Sequence, residues 1–166
     1  MQGEGGLNVA SPQWLRRIAE IARRHGALMI VDDIQAGCGR TGGFFSFEEA
    51  GIEPDMVTLS KSISGYGHPL ALTLIKPELD IWEPGEHNGT FRGNNPAFVT
   101  AAAALEHFWA DDTLARSTAA KGERVALTLS ELAGRYPGLS SRGRGLVQGL
   151  AFEDASMAGK VSQIAF

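Results

Sequence analysis

Two apolar runs end in ionisable groups. Ala27-Leu-Met-Ile-Val31 runs into Asp32-Asp33-Ile34-Gln35, and Met56-Val-Thr-Leu59 runs into Ser60-Lys61. In open α/β sheets the ligand crevice lies outside the carboxyl ends of the strands, so the acid and the amine are expected to face one space. An amine there can form a Schiff base with an aldehyde, and a carboxylate can keep a ring nitrogen protonated. Pyridoxal phosphate chemistry needs that combination. A solvated surface lysine is the competing reading of Lys61. Its position behind an apolar strand, among Ser60, Ser62, Ser64 and Gly65, predicts partial burial and a depressed pKa instead.

Adjacent acids on a strand point to opposite faces. One of Asp32 and Asp33 is therefore expected in the site and the other in a structural role. The alternative is a divalent-metal site on the pair, with phosphate held by the loop that follows. Gln35 is a neutral partner suited to a phenolic oxygen, and Ile34 is a packing residue. Gly37-Cys-Gly-Arg-Thr-Gly-Gly43 has the composition of a phosphate loop, but neither the GK[ST] ending nor G-x-G-x-x-G. Cys38 reads as a packed thiol rather than a nucleophile. His87, Asn88, Thr90 and Arg92 precede a predicted helix, where hydroxyl and backbone donors could hold a phosphate. A plain hydrogen-bonded loop is the other reading.

The elements that position these residues follow from spacing. Ser11-Pro12 starts a helix whose Trp14, Leu15, Ile18 and Ala22 share a face, and His25-Gly26 ends it. Leu28–Val31 is a strand apolar throughout, as expected when both faces are covered. Strands follow at Met56–Leu59 and Leu70–Ile75, then a polar loop over Glu83–Asn95. Pro96–Trp109 is predicted as a buried helix and Thr113–Tyr136 as a long amphipathic one. Arg144–Phe152 is a further strand, and a last helix starts near Ser156. Alternating strands and helices predict an α/β fold.

The chain has 166 residues, 43% of them hydrophobic and 20% charged, with a net charge of −4. Nothing in that balance supports a nucleic-acid or membrane partner. A single cysteine excludes an internal disulfide framework and a cysteine-rich zinc site. A cytoplasmic location is expected, since no secretion signal is visible. Both ends suggest an interior piece of a longer chain: a glycine-rich loop opens it, and an amphipathic helix without a stop signal closes it.

The string Ile30–Gly42, then Leu59-Ser-Lys61, then His87–Pro96 resembles the class III aminotransferases, a family of fold-type I, pyridoxal phosphate-dependent enzymes. Gln2–Ser11, Asp33–Cys38 and Pro84–Asn95 carry the resemblance further. It implies a fold-type I large domain over residues 1–136 and the start of a small carboxy-terminal domain over 137–166. It implies pyridoxal 5'-phosphate as cofactor, with Lys61 as covalent anchor and proton carrier and Asp32 on the pyridine nitrogen. Gln35 would contact the phenolic oxygen and Ile34 the ring face. Thr90 would bind the phosphate of the other subunit's cofactor across a dimer interface. Glu4 would be the switch residue that handles the two substrates.

The expected reaction moves an amino group between L-2,4-diaminobutyrate, formed from aspartate semialdehyde, and glutamate or 2-oxoglutarate, as in ectoine biosynthesis. The partners are thus a small-molecule amino donor, a 2-oxo acid and, for a full-length enzyme, a second copy in a dimer or higher homo-oligomer. Another ω-amino-acid transaminase of the same class is the alternative. A metal-dependent phosphate-handling enzyme built on Asp32/Asp33, and a non-catalytic product, are the readings from other classes. Parts of the family's machinery do not match any residue of this chain, so weak cofactor binding is expected of it alone.

Overall fold

The computed structural model describes residues 1–90 and 92–165. Phe91, inside the His87–Pro96 motif, and Phe166, in the expected terminal helix, lie outside the described residues. Helix α1 spans Pro12–Arg24; Ser11 Oγ accepts the Trp14 N–H at 3.2 Å, and Arg23 and Arg24 complement the dipole of its last turn. Strand β1 (Ile30–Asp32) pairs in parallel with β2 (Met56–Leu59), and β2 pairs antiparallel with β3 (Leu72–Ile75). Helices α2 (Asn95–Phe108) and α3 (Thr113–Arg135) follow. Strands β4 (Leu139–Arg144) and β5 (Val147–Phe152) then form a separate hairpin, and α4 spans Ala155–Ala165.

The core lies under the carboxyl ends of β1 and β2. Phe47, Val57, Leu59 and Ile63 are buried there, with Val31, Cys38, Phe44, Phe45, Ile52, Leu70 and Leu72 packed around them. Two of the buried residues come from β2 and one from the turn that follows it, so the core fixes the segment that carries Lys61.

Three expectations need correction. The first strand is shorter than Leu28–Val31 and is not covered on both faces: Ile30 is 58% exposed. It is the edge strand of a three-stranded sheet, and of its residues Val31 is the one packed against the core. Helix α2 is not buried throughout either. Ala97 and Ala101 are buried against the Lys61–Ser64 turn, whereas Val99 is 69% exposed. Thirdly, the strand expected over Arg144–Phe152 begins only at Val147, as β5, and it pairs with a second strand, β4, over Leu139–Arg144. Ser140-Ser141-Arg142-Gly143 lacks the apolar alternation by which a strand is read.

Opposite the core, Asp55 ties three strand ends together. Its Oδ2 accepts the Met29 N–H at 2.7 Å and its Oδ1 accepts Lys76 Nζ at 2.9 Å. The bond from Lys76 first, and the Met29 N–H second, hold the Asp55 carboxyl below its ordinary pKa; the same bond raises that of Lys76. A depressed carboxyl stabilises the fold above its unfolded pKa, about 3.9, and that stability is lost as pH falls through the lower folded value. The raised Lys76 stabilises below about pH 10.4 and loses its effect above that. Asp55→Asn is therefore expected to lower the urea midpoint at pH 7 and to flatten its fall in acid below about pH 4. An unchanged acid limb of the midpoint-against-pH curve would contradict this.

Candidate functional site

Asp32 is the last residue of β1 and is exposed, and its Oδ1 accepts the Ile34 N–H at 3.1 Å. Such a turn of an aspartate onto its own backbone holds the carboxylate at the strand end. Asp33 faces the other way and is 1% exposed. Its Oδ2 accepts the Ser46 N–H at 2.9 Å, while its own N–H donates to the Thr58 carbonyl at 3.0 Å and its carbonyl accepts the Gly37 N–H at 2.9 Å. The two acids thus divide as the strand alternation requires, one outward and one structural. They do not converge on one ion, and among the described residues no group of three metal-capable side chains forms.

Lys61 stands two residues beyond β2 and opens a 3₁₀ turn, Lys61–Ser64. Asp32 pairs with Thr58 in the parallel ladder, so the acid and the amine lie at the same edge of two adjacent strands. Lys61 is exposed, contrary to the partial burial expected of it. Its φ is +54°, a left-handed conformation that costs an L-residue about 1–2 kcal/mol. Such strain persists only where the surroundings impose it. Ser60 Oγ donates to the Leu70 carbonyl at 2.8 Å, and Ile63 is anchored in the core. Gly65, at φ +73°, lies so close to α2 that a Cβ there would be 2.6 Å from Ala104 Cβ and 2.7 Å from the Thr100 carbonyl. Arg40 Nε reaches across from the glycine-rich loop and donates to Ser62 Oγ at 3.1 Å.

Two further residues singled out in the sequence meet in space. Gln35 Nε2 donates to Glu4 Oε1 at 3.3 Å, which brings the amino-terminal loop onto the turn after β1. Ile34, between Asp32 and Gln35 in the sequence, is half-buried. Thr90 is not joined to this group: it is exposed in the loop before α2, where Arg92 donates to the His87 carbonyl.

The Gly37–Gly43 loop spends its donors on itself. Cys38 N–H bonds the Phe44 carbonyl at 2.7 Å, Gly39 N–H the Gly43 carbonyl at 3.2 Å, and Thr41 Oγ1 the Ala36 carbonyl at 2.9 Å. Burial above all, and the Asp33 carboxylate next, push the Cys38 thiol up in pKa against a smaller opposing effect of Arg40. That fits the packed-thiol reading. The loop is also the seat of the hairpin. Leu146 N–H donates to the Arg40 carbonyl at 2.9 Å, and Gly145 approaches until a Cβ would be 2.6 Å from that same oxygen. Arg144 donates through Nη2 to Thr41 Oγ1 at 3.1 Å and to the Ser46 carbonyl, and through Nη1 to Glu49 Oε2 at 3.3 Å. Sequence reasoning missed this clamp, and its only sequence signal is an arginine between two glycines.

The family described as Aminotransferase class-III matches residues 1–165. A diaminobutyrate–2-oxoglutarate transaminase of Nocardia farcinica is 68% identical over 166 residues, which is 100% of this chain and 38% of that relative. One from Vibrio cholerae is 60% identical over 168 residues, 100% of this chain and 41% of the relative. The chain thus spans about two fifths of the length of these curated relatives. Among solved structures, the ornithine aminotransferase of Toxoplasma gondii superposes with a TM-score of 0.86 at 34% identity, covering 94% of this chain and 38% of that one. N-acetylornithine aminotransferase of Stenotrophomonas maltophilia superposes at 0.79 and 31% identity, covering 99% and 42%. The α/β fold is that of these enzymes.

The two acids should separate in a stability measurement. Asp33→Ala strands the buried Ser46 N–H and is expected to cost about 1–3 kcal/mol in urea unfolding. Asp32→Ala, at an exposed position, should stay within about 0.5 kcal/mol of the unmodified chain. Equal losses would contradict the division of roles.

Proposed function

The chain belongs to the class-III aminotransferase family, and from that premise we propose that it carries the cofactor-anchoring part of a pyridoxal 5'-phosphate-dependent transaminase. The observation that carries the reading is the placement of Asp32 and Lys61 at one edge of the parallel β1–β2 pair. The donor set fits the cofactor: an exposed primary amine for its aldehyde, and an exposed carboxylate one strand away for its ring nitrogen. Lys61, Asp32, Ile34 and Gln35 would hold it, with Thr90 reserved for the phosphate in a neighbouring copy. Residues 1–136 would belong to the large domain, and 137–166 would begin the small one.

When bound, pyridoxal phosphate supplies an aldehyde and a ring that draws electrons from the substrate carbon. Lys61 Nζ would anchor that aldehyde. Nζ would also be the base that takes a proton from the substrate carbon and the acid that returns it. Asp32 would keep the proton on the ring nitrogen, since an anion beside a cationic nitrogen favours its protonated form. Gln35 would donate to the phenolic oxygen, and Ile34 would pack against the ring. The Glu4–Gln35 hydrogen bond supports a role for Glu4 at the substrate end, because any charge that Glu4 releases or captures is felt at Gln35.

The names of the relatives support L-2,4-diaminobutyrate and 2-oxoglutarate as substrates. Our reading of the enzyme is one of the ectoine route that works in the cytoplasm as a homo-oligomer. Among the described residues no helix is long and apolar enough to cross a membrane. Another ω-amino acid as donor is the second reading; the ornithine enzymes among the structural neighbours favour testing it.

The chain carries lysines at 61, 76, 121 and 160. On mixing with pyridoxal phosphate and reducing with borohydride, weak capture directed to Lys61 is expected, and Lys61→Ala should abolish it. Labelling spread evenly over the four lysines would overturn the reading. Amine-donor profiling of a chain of the relatives' full length distinguishes diaminobutyrate from ornithine.

A further inference from the structure

Arg40 is used by nothing in the proposed chemistry, yet it touches both the hairpin and the lysine turn. Its carbonyl accepts the Leu146 N–H at 2.9 Å, which fixes its backbone to the β4–β5 hairpin. Its Nε donates to Ser62 Oγ at 3.1 Å. Among the described residues the guanidinium forms no ion pair, so this bond is its clearest engagement. Ser62 follows Lys61 directly, and Lys61 is the residue held at φ +54°. If Lys61 relaxed to a right-handed conformation, the peptide joining it to Ser62 would swing, and the Ser62 hydroxyl would leave Arg40. Ser64 Oγ also bears on the turn, donating to the Lys61 carbonyl at 3.3 Å, and the remaining restraints act further off. Ser60 is fixed through its side chain before the lysine, and Ile63 and Gly65 are fixed two and four residues after it.

We propose that Arg40 is a positioning residue for Lys61: its Nε–H, acting through the Ser62 hydroxyl, holds the left-handed backbone that aims the lysine amine out of the turn. The proposal deepens the transaminase reading and rests on it for the purpose of the aim, though not for the geometry. It also gives the arginine of the glycine-rich loop a use that phosphate binding does not. Because Arg40 is itself seated on the Gly145–Leu146 turn, the orientation of the lysine becomes sensitive to the docking of the hairpin.

The test needs no cofactor. A residue at positive φ gives a strong intraresidue NOE between its amide and α protons, and Lys61 and Leu7 both have that geometry, Leu7 at φ +57°. Arg40→Met removes the donor and keeps the length. Arg40→Gln puts an amide nitrogen at the position of Nε, and Ser62→Ala removes the acceptor. The Lys61 NOE is expected to weaken in Arg40→Met and Ser62→Ala and to persist in Arg40→Gln, while the Leu7 NOE persists in all three. A strong Lys61 NOE in Arg40→Met overturns the proposal, as does its loss in Arg40→Gln. If Arg40→Met also loses the Leu7 signal, the chain has unfolded and Ser62→Ala alone decides.

A second readout is the share of borohydride-fixed pyridoxal phosphate found on Lys61 relative to Lys76, Lys121 and Lys160. It should fall about tenfold in Arg40→Met, the size of one lost hydrogen bond to a charged group. The expected NOE pattern together with even labelling of all four lysines in the unmodified chain would uphold the positioning role and refute the transaminase reading.

Discussion

The parallel pairing of β1 with β2 is the constraint on which the rest depends. Adjacent strands lie about 4.8 Å apart, so a shared register fixes what stands at their ends. With Asp32 opposite Thr58, the carboxylate and the lysine three residues further on share the carboxyl end of the parallel pair. Asp33 holds that register from beneath through its N–H on the Thr58 carbonyl. A one-residue slip of β1 would exchange the two acids, burying Asp32 and presenting Asp33. The burial of Asp33 against Ser46 N–H disfavours such a slip, because an unpaired buried carboxylate is costly.

Around that pair, the molecule uses glycine-rich backbone as a joint. The loop after β1 closes on itself, receives the hairpin turn at the Arg40 carbonyl, and is clamped by Arg144 from the start of that turn. Ser46 sits where the two systems meet, giving its N–H to Asp33 and its carbonyl to Arg144. Asp33 and the hairpin more than a hundred residues later are therefore linked through one residue. The same loop extends Arg40 towards the lysine. Precision at the site rests on this packing and hydrogen bonding around exposed groups more than on burial of the groups themselves.

Much of this was legible in the sequence, for physical reasons. Ser11-Pro12 specifies a helix start by capping and a fixed φ, and β2 is a short apolar run with polar ends; both occur as read. The assignment of one acid inward and one outward followed from the two-residue period of a strand. Exposure was the least legible quantity, because the periodicity of β1 and α2 shows which faces are apolar but not whether another element covers them. The β4 strand escaped because its hydrogen bonds come from a polar, glycine-containing segment. The left-handed backbone of Lys61 has no residue-type signal at all, since the turn imposes it against the lysine's own preference. Glu4 and Gln35 were each singled out separately, and only the fold shows that they touch.

The central claim is that Asp32 and Lys61 serve one cofactor from two strands. Its most direct test is the ¹⁵N shift of ring-labelled pyridoxal phosphate attached to Lys61, compared between the unmodified chain and Asp32→Asn. A protonated-pyridine shift in the first and a neutral-pyridine shift in the second is the predicted result. The same shift in both would contradict the shared crevice.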